Sequence, residues 1–292
     1  MRKLFCVLFL FAFVSSSVFA EVSRKEKKAL IDLYEYTNGD DWKKKWDLNS
    51  PVSTWHGVKI VDDHVVGINL FRNNLVGTIP NSIGKLKHLL HLNLAFNTLR
   101  GELPKGMIKL KQLTVLKLEM NRLKGVIPEK IGELKNLESF TIFNNFLSGT
   151  IPSSIGELKN LKVLNLSSNS LKGEIPNSIG DLTHLESLGL FENTLKGSIP
   201  SEFGKLTKLK ELVLANNDLS GSIPVEFGQL ASLEVLQIQN NKFKSFKGLQ
   251  QMNTKQFLVF DYDKENVKLD FKNANYGKTR MADTKFEDDN EN

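Results

Sequence analysis

The stretch LKVLNLSSNSLKGEIPNSIGDLTH, at residues 161–184, contains the pattern from which the fold of most of the chain follows. Written with x for any residue, this pattern is L-x-x-L-x-L-x-x-N-x-L-x-G-x-I-P-x-x-I-G-x-L-x-x, and we number its positions 1 to 24. Seven complete copies fill residues 65–232, and a partial eighth copy loses the pattern after Phe243. The Asn at position 9 recurs once in every copy, at Asn73, Asn97, Asn121, Asn145, Asn169, Asn193, Asn217 and Asn241.

The spacing of the apolar residues predicts one short strand in every repeat. Leu164 and Leu166 are next-but-one neighbours, so their side chains point to the same face of an extended chain. A helical repeat is excluded, because Gly and Pro recur in every copy and would break the helices. One repeat cannot bury its apolar face alone, so we expect neighbouring repeats to stack into a solenoid with a continuous core.

The Asn residues at position 9 are predicted to be structural. A turn that leaves a strand frees backbone N–H and C=O groups inside the coil, and an amide side chain offers both donors and an acceptor for them. We expect a ladder of eight stacked amides, in which the loss of one leaves buried polar groups unpaired at a cost of about 1–3 kcal/mol. A catalytic or ligand-binding role for this column is the less favoured alternative. The glycines at position 13, from Gly77 to Gly221, predict tight backbone turns.

The pattern resembles that of the leucine-rich repeat family, in its plant-type 24-residue subclass with an L-x-G-x-I-P segment. The resemblance covers residues 65–248 and implies an α/β solenoid. Its expected form is a right-handed coil of about eight repeats with a parallel β-sheet on the concave face, a helical N-terminal cap and a short β-rich C-terminal cap. The similarity to ectodomains of plant receptor-like proteins and to polygalacturonase inhibitors implies peptide, protein or cell-wall glycan ligands. The cysteine pair that is usual in the plant cap is missing here.

Residues 1–20 are predicted to be a cleavable secretory signal peptide. Two basic residues precede an apolar stretch at residues 4–14, and small residues precede a cut after Ala20. The stretch is shorter than the roughly 20 residues that a membrane-spanning helix needs. We therefore expect an exported protein that is secreted, periplasmic or at the cell surface, with no transmembrane segment. The only cysteine, Cys6, would leave with the signal peptide. Together with the excess of Lys over Arg, a cysteine-free exported domain indicates a bacterial source.

Residues 21–64 are predicted to form the N-terminal cap. Ser23 and Glu26 match a helix capping box, and an Asn-Gly pair that begins at Asn38 is a helix stop. An Asp-Asp pair at residues 62–63 predicts the turn of a hairpin. The three tryptophans of the chain also lie in this cap. We expect them to cover the first coil by aromatic packing, and a ligand cage is the alternative; they are Trp42, Trp46 and Trp55.

Residues 249–292 are predicted to form a C-terminal cap followed by an acidic tail, because the repeat pattern is absent from Leu249 onward. Apolar residues indicate strands at Phe257–Phe260 and Val267–Phe271 that would cover the last repeat. The tail, at residues 286–291, carries mostly acidic side chains and is expected to fray.

Aromatic and methionine side chains at positions 7 and 8 are the sharpest indication of a binding surface. In this fold, positions around the second and third leucines lie on the exposed face of the sheet, where such residues are typical interface anchors. The alternatives are that they shield the sheet or reflect the duplicated pattern. Two basic side chains accompany them, and a phenylalanine just past the Asn ladder extends the patch. The predicted ligand-binding residues are Phe71, Arg72, Phe96, Lys117, Met120, Phe143, Phe146 and Phe191.

Basic residues, in a chain with a net charge of +6, form two further columns. Such stripes would attract anionic polysaccharide or lipid head groups and allow peripheral association with anionic surfaces, and a solubilising flank is the blander alternative. Nucleic acid is not an expected partner, because the stripes lack interleaved aromatic residues. Position 12 holds Arg100, Lys124, Lys172, Lys196 and Lys244, and position 23 holds Lys87, Lys111, Lys135 and Lys159.

Enzyme chemistry is not indicated by any pattern in the sequence. The five histidines are scattered, and His88 and His91 have no third ligand at metal spacing. No nucleophile elbow, zinc-protease motif or phosphate loop occurs. We therefore expect no catalytic residues, no metal and no cofactor, and we predict a protein that binds a protein, peptide or glycan partner non-covalently through its concave face. A structural envelope or matrix adhesin and an inhibitor of a secreted hydrolase are the alternatives.

Overall fold

The computed structural model of the protein describes residues 22–252 and 257–262. The predicted signal peptide, the predicted strand at Val267–Phe271 and the acidic tail lie outside these residues.

The chain begins with a helix that is capped as the sequence predicts. Helix α1 spans Arg24–Tyr36, and the hydroxyl of Ser23 accepts the backbone N–H of Glu26 at 3.3 Å and donates to its carboxylate at 2.9 Å. Asn38, with a φ of 56°, takes the left-handed conformation just after the helix. Two 3₁₀ helices, Gly39–Asp41 and Val52–Thr54, follow it.

The three tryptophans are buried under the first coil, so the packing interpretation is confirmed and the ligand cage is wrong. The ring centroids of Trp46 and Trp55 are 4.8 Å apart in a stacked arrangement, and those of Trp42 and Trp46 are 4.9 Å apart edge to face. Each indole N–H donates to a backbone carbonyl, for example from Trp46 to His56 at 2.8 Å. Aromatic packing and these hydrogen bonds hold the cysteine-free cap together.

A main sheet of ten strands runs along one side of the described chain. Its first two strands form the predicted hairpin, in which Asp62 and Asp63 both have positive φ, as a type I′ turn requires. The remaining pairings are parallel, and each strand pairs with its counterpart in the next repeat, as Leu164 does with Leu188. The strands are Val58–Val61, His64–Asn69, His91–Asn93, Val115–Lys117, Ser139–Thr141, Val163–Asn165, Ser187–Gly189, Glu211–Val213, Val235–Gln237 and Val259–Asp261.

The repeat register continues one strand beyond the point where the sequence pattern is lost. Val259 and Phe260 pair with Val235 and Leu236, which keeps the register of the preceding coils. The last strand therefore continues the solenoid itself, with Phe260 in the place of the second leucine. The sequence pattern missed this coil because aromatic residues replace its leucines.

Within residues 22–252, a second sheet of eight strands lies where each repeat leaves the Asn position. Its pairings are also parallel and also join neighbouring coils, as between Lys172 and Thr194. The tight turns expected at position 13 are confirmed: these glycines have φ values between 76° and 139°, which only glycine adopts readily. The strands are Val76–Gly77, Thr98–Gly101, Arg122–Val126, Phe146–Gly149, Ser170–Glu174, Thr194–Gly197, Asp218–Ser222 and Lys242–Ser245.

Short 3₁₀ helices complete each coil and pack closely on one another. A Cβ atom added to Gly84 would lie 2.2 Å from the carbonyl oxygen of Gly106 in the next coil, which explains the glycine at position 20. The helices are Asn81–Lys85, Met107–Lys109, Ile131–Glu133, Ser153–Glu157, Asn177–Asp181, Ser201–Lys205, Val225–Gln229 and Lys247–Gln251.

The Asn side chains of position 9 lie inside the coil and bond to its backbone. The amide nitrogen of Asn121 donates to the carbonyl oxygens of Leu94 and Leu118 at 3.0 Å and of Glu119 at 3.2 Å, and its oxygen accepts the N–H of Leu99 at 3.0 Å. Equivalent bonds occur at every position 9 from Asn97 to Asn241. These bonds support the structural role expected for the column.

Candidate ligand-binding face

The solvent face of the main sheet is formed by positions 3, 5, 7 and 8 of successive repeats. The strands end at position 5, but the backbone ladder continues past them. The N–H of Leu94 donates to the carbonyl of Lys117, and the N–H of Phe96 to that of Glu119, both at 2.9 Å. Positions 7 and 8 are therefore held in register with their neighbours although they lie outside the regular strands.

Position 8, which the sequence placed on the exposed face of the sheet, does not have the extended backbone of a strand. In all eight repeats this residue has a positive φ, between 49° and 58°. The left-handed conformation costs about 1–2 kcal/mol for residues other than Gly, Asn and Asp. Bulky side chains such as Phe96 and Met120 are uncommon there. They lie just past the end of the regular strand, so the expectation that they lie on the strand itself is wrong, although the backbone ladder holds them in register with the neighbouring coils.

The predicted binding residues differ in exposure. Phe71 is 40% exposed, and its ring centroid lies 5.1 Å from that of Phe96, so these two rings form one apolar surface. Arg72 beside them is exposed. The other main-sheet candidates are half-buried and expose part of each side chain; they are Phe96, Lys117, Met120, Phe143 and Phe191.

Phe146 lies in the second sheet. It begins the strand Phe146–Gly149, pairs with Lys124 and is 61% exposed. The structure therefore brings it next to a basic residue of position 12, in a different sheet from the other predicted anchors.

Glu119 is a functional candidate that the repeat pattern does not single out, because its burial depends on the neighbouring coils. The residue is 7% exposed, and its carboxylate accepts a hydrogen bond from the hydroxyl of Thr141 at 2.6 Å. Burial raises the pKa of Glu119 above its ordinary value of 4.5, although the Thr141 bond and the positive charge of Lys117 act against this. Perturbed groups of this kind concentrate at functional sites.

Other carboxylates of the face are paired with hydroxyl groups of neighbouring coils. Ser168 donates to Glu192 at 2.8 Å, and Ser187 donates to Glu211 at 2.8 Å. Both glutamates are more exposed than Glu119. The face therefore combines apolar rings with carboxylates whose positions are fixed by hydrogen bonds.

The two basic columns differ in their partners. At position 23, Lys111 and Lys135 each lie 2.5 Å from a glutamate of the next coil, and Lys159 lies 3.8 Å from Asp181. These lysines form ion pairs within the solenoid. The basic side chains of position 12 are exposed on the second sheet, and none of them forms an ion pair with any residue that the structure describes.

The histidines and carboxylates of residues 22–252 and 257–262 do not gather into a cluster of three or more. No three His, Cys, Asp or Glu side chains there come close enough to hold a metal ion. His64 stacks on His88 with 3.6 Å between ring centroids, and its Nδ1 lies 3.4 Å from the Glu26 carboxylate. No helix in the same ranges has the length and apolar character to cross a bilayer.

Comparison with known proteins identifies the repeat. Residues 69–167 and 143–259 match the family described as "Leucine-rich repeat region". No curated protein is a significant match to the sequence. Among solved structures, the ectodomain of the receptor kinase GASSHO1/SCHENGEN3 from Arabidopsis thaliana, in complex with CASPARIAN STRIP INTEGRITY FACTOR 2, is 34% identical over 80% of this chain, with a TM-score of 0.76.

Two further solved structures are similar to this chain. The Arabidopsis receptor kinase HAESA, in complex with the peptide hormone IDA and the co-receptor SERK1, is 32% identical over 82% of this chain, with a TM-score of 0.72. PEPR1 with AtPEP1 is 27% identical over 82% of the chain, with a TM-score of 0.71. The present chain spans only 29%, 41% and 36% of GASSHO1/SCHENGEN3, HAESA and PEPR1, respectively.

Proposed function

Because this chain belongs to the leucine-rich repeat family, we propose that it binds an extended peptide non-covalently along the solvent face of its main sheet. Its structural relatives support this, since HAESA was solved with a peptide hormone on an ectodomain of similar fold. We also propose that the protein is exported and acts without catalysis.

The observation that carries the proposal is the row of large apolar side chains at positions 7 and 8. Phe96 and Met120 occupy a left-handed backbone that is unfavourable for them, and they remain partly exposed. Three other repeats have Asn at position 8 with the same left-handed backbone; they are Asn144, Asn216 and Asn240. Neither the turn nor the core therefore requires a large apolar side chain at this position. Exposed aromatic and methionine side chains that cost stability are typical of binding anchors.

The dimensions of the face suit an extended peptide. The nine parallel strands of the described main sheet, spaced by about 4.8 Å, give a surface roughly 38 Å long. An extended peptide of about 11 residues has this length. Phe71 and Phe96 lie toward one end of the surface, and Phe191 lies four coils beyond Phe96, so several separated anchors contact one chain.

The proposal is tested by selecting peptides and then removing the anchors. Peptides are enriched from a phage-displayed random library on the immobilised protein, and the best sequence is synthesised. We expect Phe96→Asn together with Phe143→Ala and Phe191→Ala to weaken its binding at least about 100-fold, since each anchor is worth about 1–2 kcal/mol or more. Phe146→Ala is the matched control, because it removes an exposed ring from the other sheet. Equal affinity of the triple variant and the wild type would contradict the proposal.

The second sheet supports a different function, adhesion to an anionic polymer. The specific observation is that the basic side chains of position 12 have no ion-pair partner in the described chain, whereas three of the four lysines of position 23 pair with carboxylates of the next coil; they are Lys111, Lys135 and Lys159. Binding through this column should weaken steeply between low and high salt, because exposed charges are screened. Peptide binding through aromatic anchors should change little. Retention on a heparin column that is insensitive to salt would exclude adhesion of this kind.

Export is tested at the N-terminus. Expression in a secreting host should give a protein whose sequence begins at Glu21, as a cut after Ala20 requires. An exported protein that retains residues 1–20 would contradict the signal peptide.

A further inference from the structure

Glu119 is a buried carboxylate on the solvent face of the main sheet, where the predicted binding residues are exposed or half-buried. It occupies position 7, between Ala95 in the preceding coil and Phe143 in the following coil. The residue immediately before it, Leu118 at position 6, points into the core and is fully buried. Since alternate residues of an extended chain point to opposite faces, Glu119 lies on the outer side, where it bonds to Thr141 of position 5.

The hydrogen bonds of this carboxylate do not offset its loss of water. A carboxylate offers about four acceptor sites, and the side chain that donates to it here is the hydroxyl of Thr141, at 2.6 Å. Backbone N–H groups of Leu118 and Glu119 and the charge of Lys117 also favour the ionised form, but burial still raises the pKa of Glu119. A carboxylate that water solvates so poorly interacts strongly with a cation brought into the same low-dielectric surroundings.

The side chains around Glu119 suit the stem of a long cationic residue. Phe143 follows it in the same column, and Met120 is the next residue in the chain, so part of the rim is apolar, whereas Thr141 and Lys117 form its polar part. In the preceding coil, position 7 is Ala95, which has only a methyl group as its side chain. Lysine and arginine pack an aliphatic stem along apolar surface, and their charged ends also favour the faces of aromatic rings.

We propose that Glu119 is a specificity-determining residue that binds a lysine or arginine side chain of the peptide, with Phe143 and Met120 flanking the stem and Thr141 orienting the carboxylate. This inference rests on the proposed function, because it assigns one subsite of the same face. Phe71 and Phe96 then bind the apolar residues at one end of the peptide, and Glu119 fixes its register. A peptide with a basic residue about 10 Å, or roughly three residues, from the end that contacts Phe71 is the class of ligand that fits.

A purely structural role for Glu119 makes a different prediction. If the carboxylate only holds Thr141 in place, Gln at this position supplies the same acceptor and nothing about ligand choice changes. If the carboxylate is a ligand anchor, Glu119→Gln retains the fold and changes which peptides are bound. The comparison therefore needs both a stability measurement and a selectivity measurement.

The experiment uses the phage-displayed random library on three proteins: the wild type, Glu119→Gln and Glu192→Gln. Glu192 is the matched control, because it is a carboxylate of the same face that also accepts a hydroxyl hydrogen bond, from Ser168 at 2.8 Å, but is exposed. The best wild-type peptide is then synthesised with its basic residue and with norleucine in that place, which retains the apolar stem and removes the charge.

The expected result is a fixed Lys or Arg in peptides selected by the wild type and by Glu192→Gln, and its absence in peptides selected by Glu119→Gln. Norleucine should weaken binding to the wild type by about tenfold or more and to Glu119→Gln by less than about twofold. Thermal unfolding should show that Glu119→Gln is at least as stable as the wild type.

Three outcomes overturn the inference. If the wild type selects peptides without a fixed basic residue, or if Glu119→Gln still selects one, the anchor is not Glu119. In both cases, if the triple phenylalanine variant still loses binding of the selected peptide, the proposed peptide-binding function holds and only the role of Glu119 is refuted. If the wild type enriches no peptide, the proposed function and the inference fail together.

Discussion

Replacement of Asn121 by Ala removes one amide from the middle of the internal ladder. Four hydrogen bonds are lost, but they do not weigh equally. The carbonyl oxygens of Leu94 and Leu118 each accept from a second Asn of the ladder, Asn97 and Asn145 respectively, and so retain a partner. The carbonyl of Glu119 retains the N–H of Phe96.

Most of the loss in the free energy of unfolding comes from the backbone N–H of Leu99. The oxygen of Asn121 accepts this N–H at 3.0 Å in a buried position, and Ala leaves no acceptor in its place. An orphaned buried N–H costs about 1–3 kcal/mol, and each partly satisfied carbonyl adds about 0.5 kcal/mol. We therefore expect Asn121→Ala to lower the free energy of unfolding by about 3 kcal/mol.

The measurement is urea-induced unfolding followed by two probes. Circular dichroism reports on the sheets, and tryptophan fluorescence reports on the N-terminal cap, because all three tryptophans are buried there. The control is Asn136→Ala in the same repeat, since Asn136 is exposed and donates one hydrogen bond to the carbonyl of Lys111 at 2.9 Å. We expect this control to change the free energy of unfolding by less than about 0.5 kcal/mol.

The two probes also test how far the effect spreads. Because one continuous core links the cap to the coils, both transitions should shift to lower urea concentration in Asn121→Ala. If Asn121→Ala and Asn136→Ala differ by less than about 0.5 kcal/mol, the ladder does not stabilise the solenoid and the reasoning is refuted.

Three further predictions concern single positions. Glu192→Asn should raise the free energy of unfolding by about 0.5–1 kcal/mol, because Asn tolerates the left-handed backbone there; a lower thermal midpoint would contradict this. Gly84→Ala should lower it by about 1–3 kcal/mol, since the added Cβ meets a carbonyl of the next coil at 2.2 Å, and an unchanged urea midpoint would count against close coil packing. Burial raises the pKa of Glu119, so its unfavourable effect on folding is absent below the ordinary pKa of 4.5 and develops as the pH rises through the raised value. Glu119→Gln should therefore be more stable than the wild type at pH 7 and equal to it near pH 4, and a less stable variant at pH 7 in thermal unfolding would show that the attraction of Lys117 outweighs burial.

The repeat pattern was sufficient to predict the solenoid, its short strands, the inward leucines and the internal position of the Asn column. The resemblance to the leucine-rich repeat family implied the parallel sheet, and the capping box at Ser23 and Glu26 predicted the helix of the cap. These features follow from sequence because each coil packs on near copies of itself. The residue that covers Leu164 is the same kind of residue in the adjacent repeat, as its pairing with Phe140 and Leu188 shows. Local spacing and long-range packing therefore carry the same information in such a chain.

The features that vary from coil to coil required the folded structure. The ion pairs of Lys111 and Lys135 with the next coil have no counterpart in the repeat pattern. The sequence predicted a strand near Val259–Asp261, but only the structure shows that it keeps the register of the preceding coils. The burial of Glu119 is of the same kind. Each depends on side chains of the adjacent coil that become neighbours only when the coils stack, and their size and charge differ at each level. The 24-residue repeat pattern thus determines the solenoid, and the candidate site is determined by residues that differ from one coil to the next.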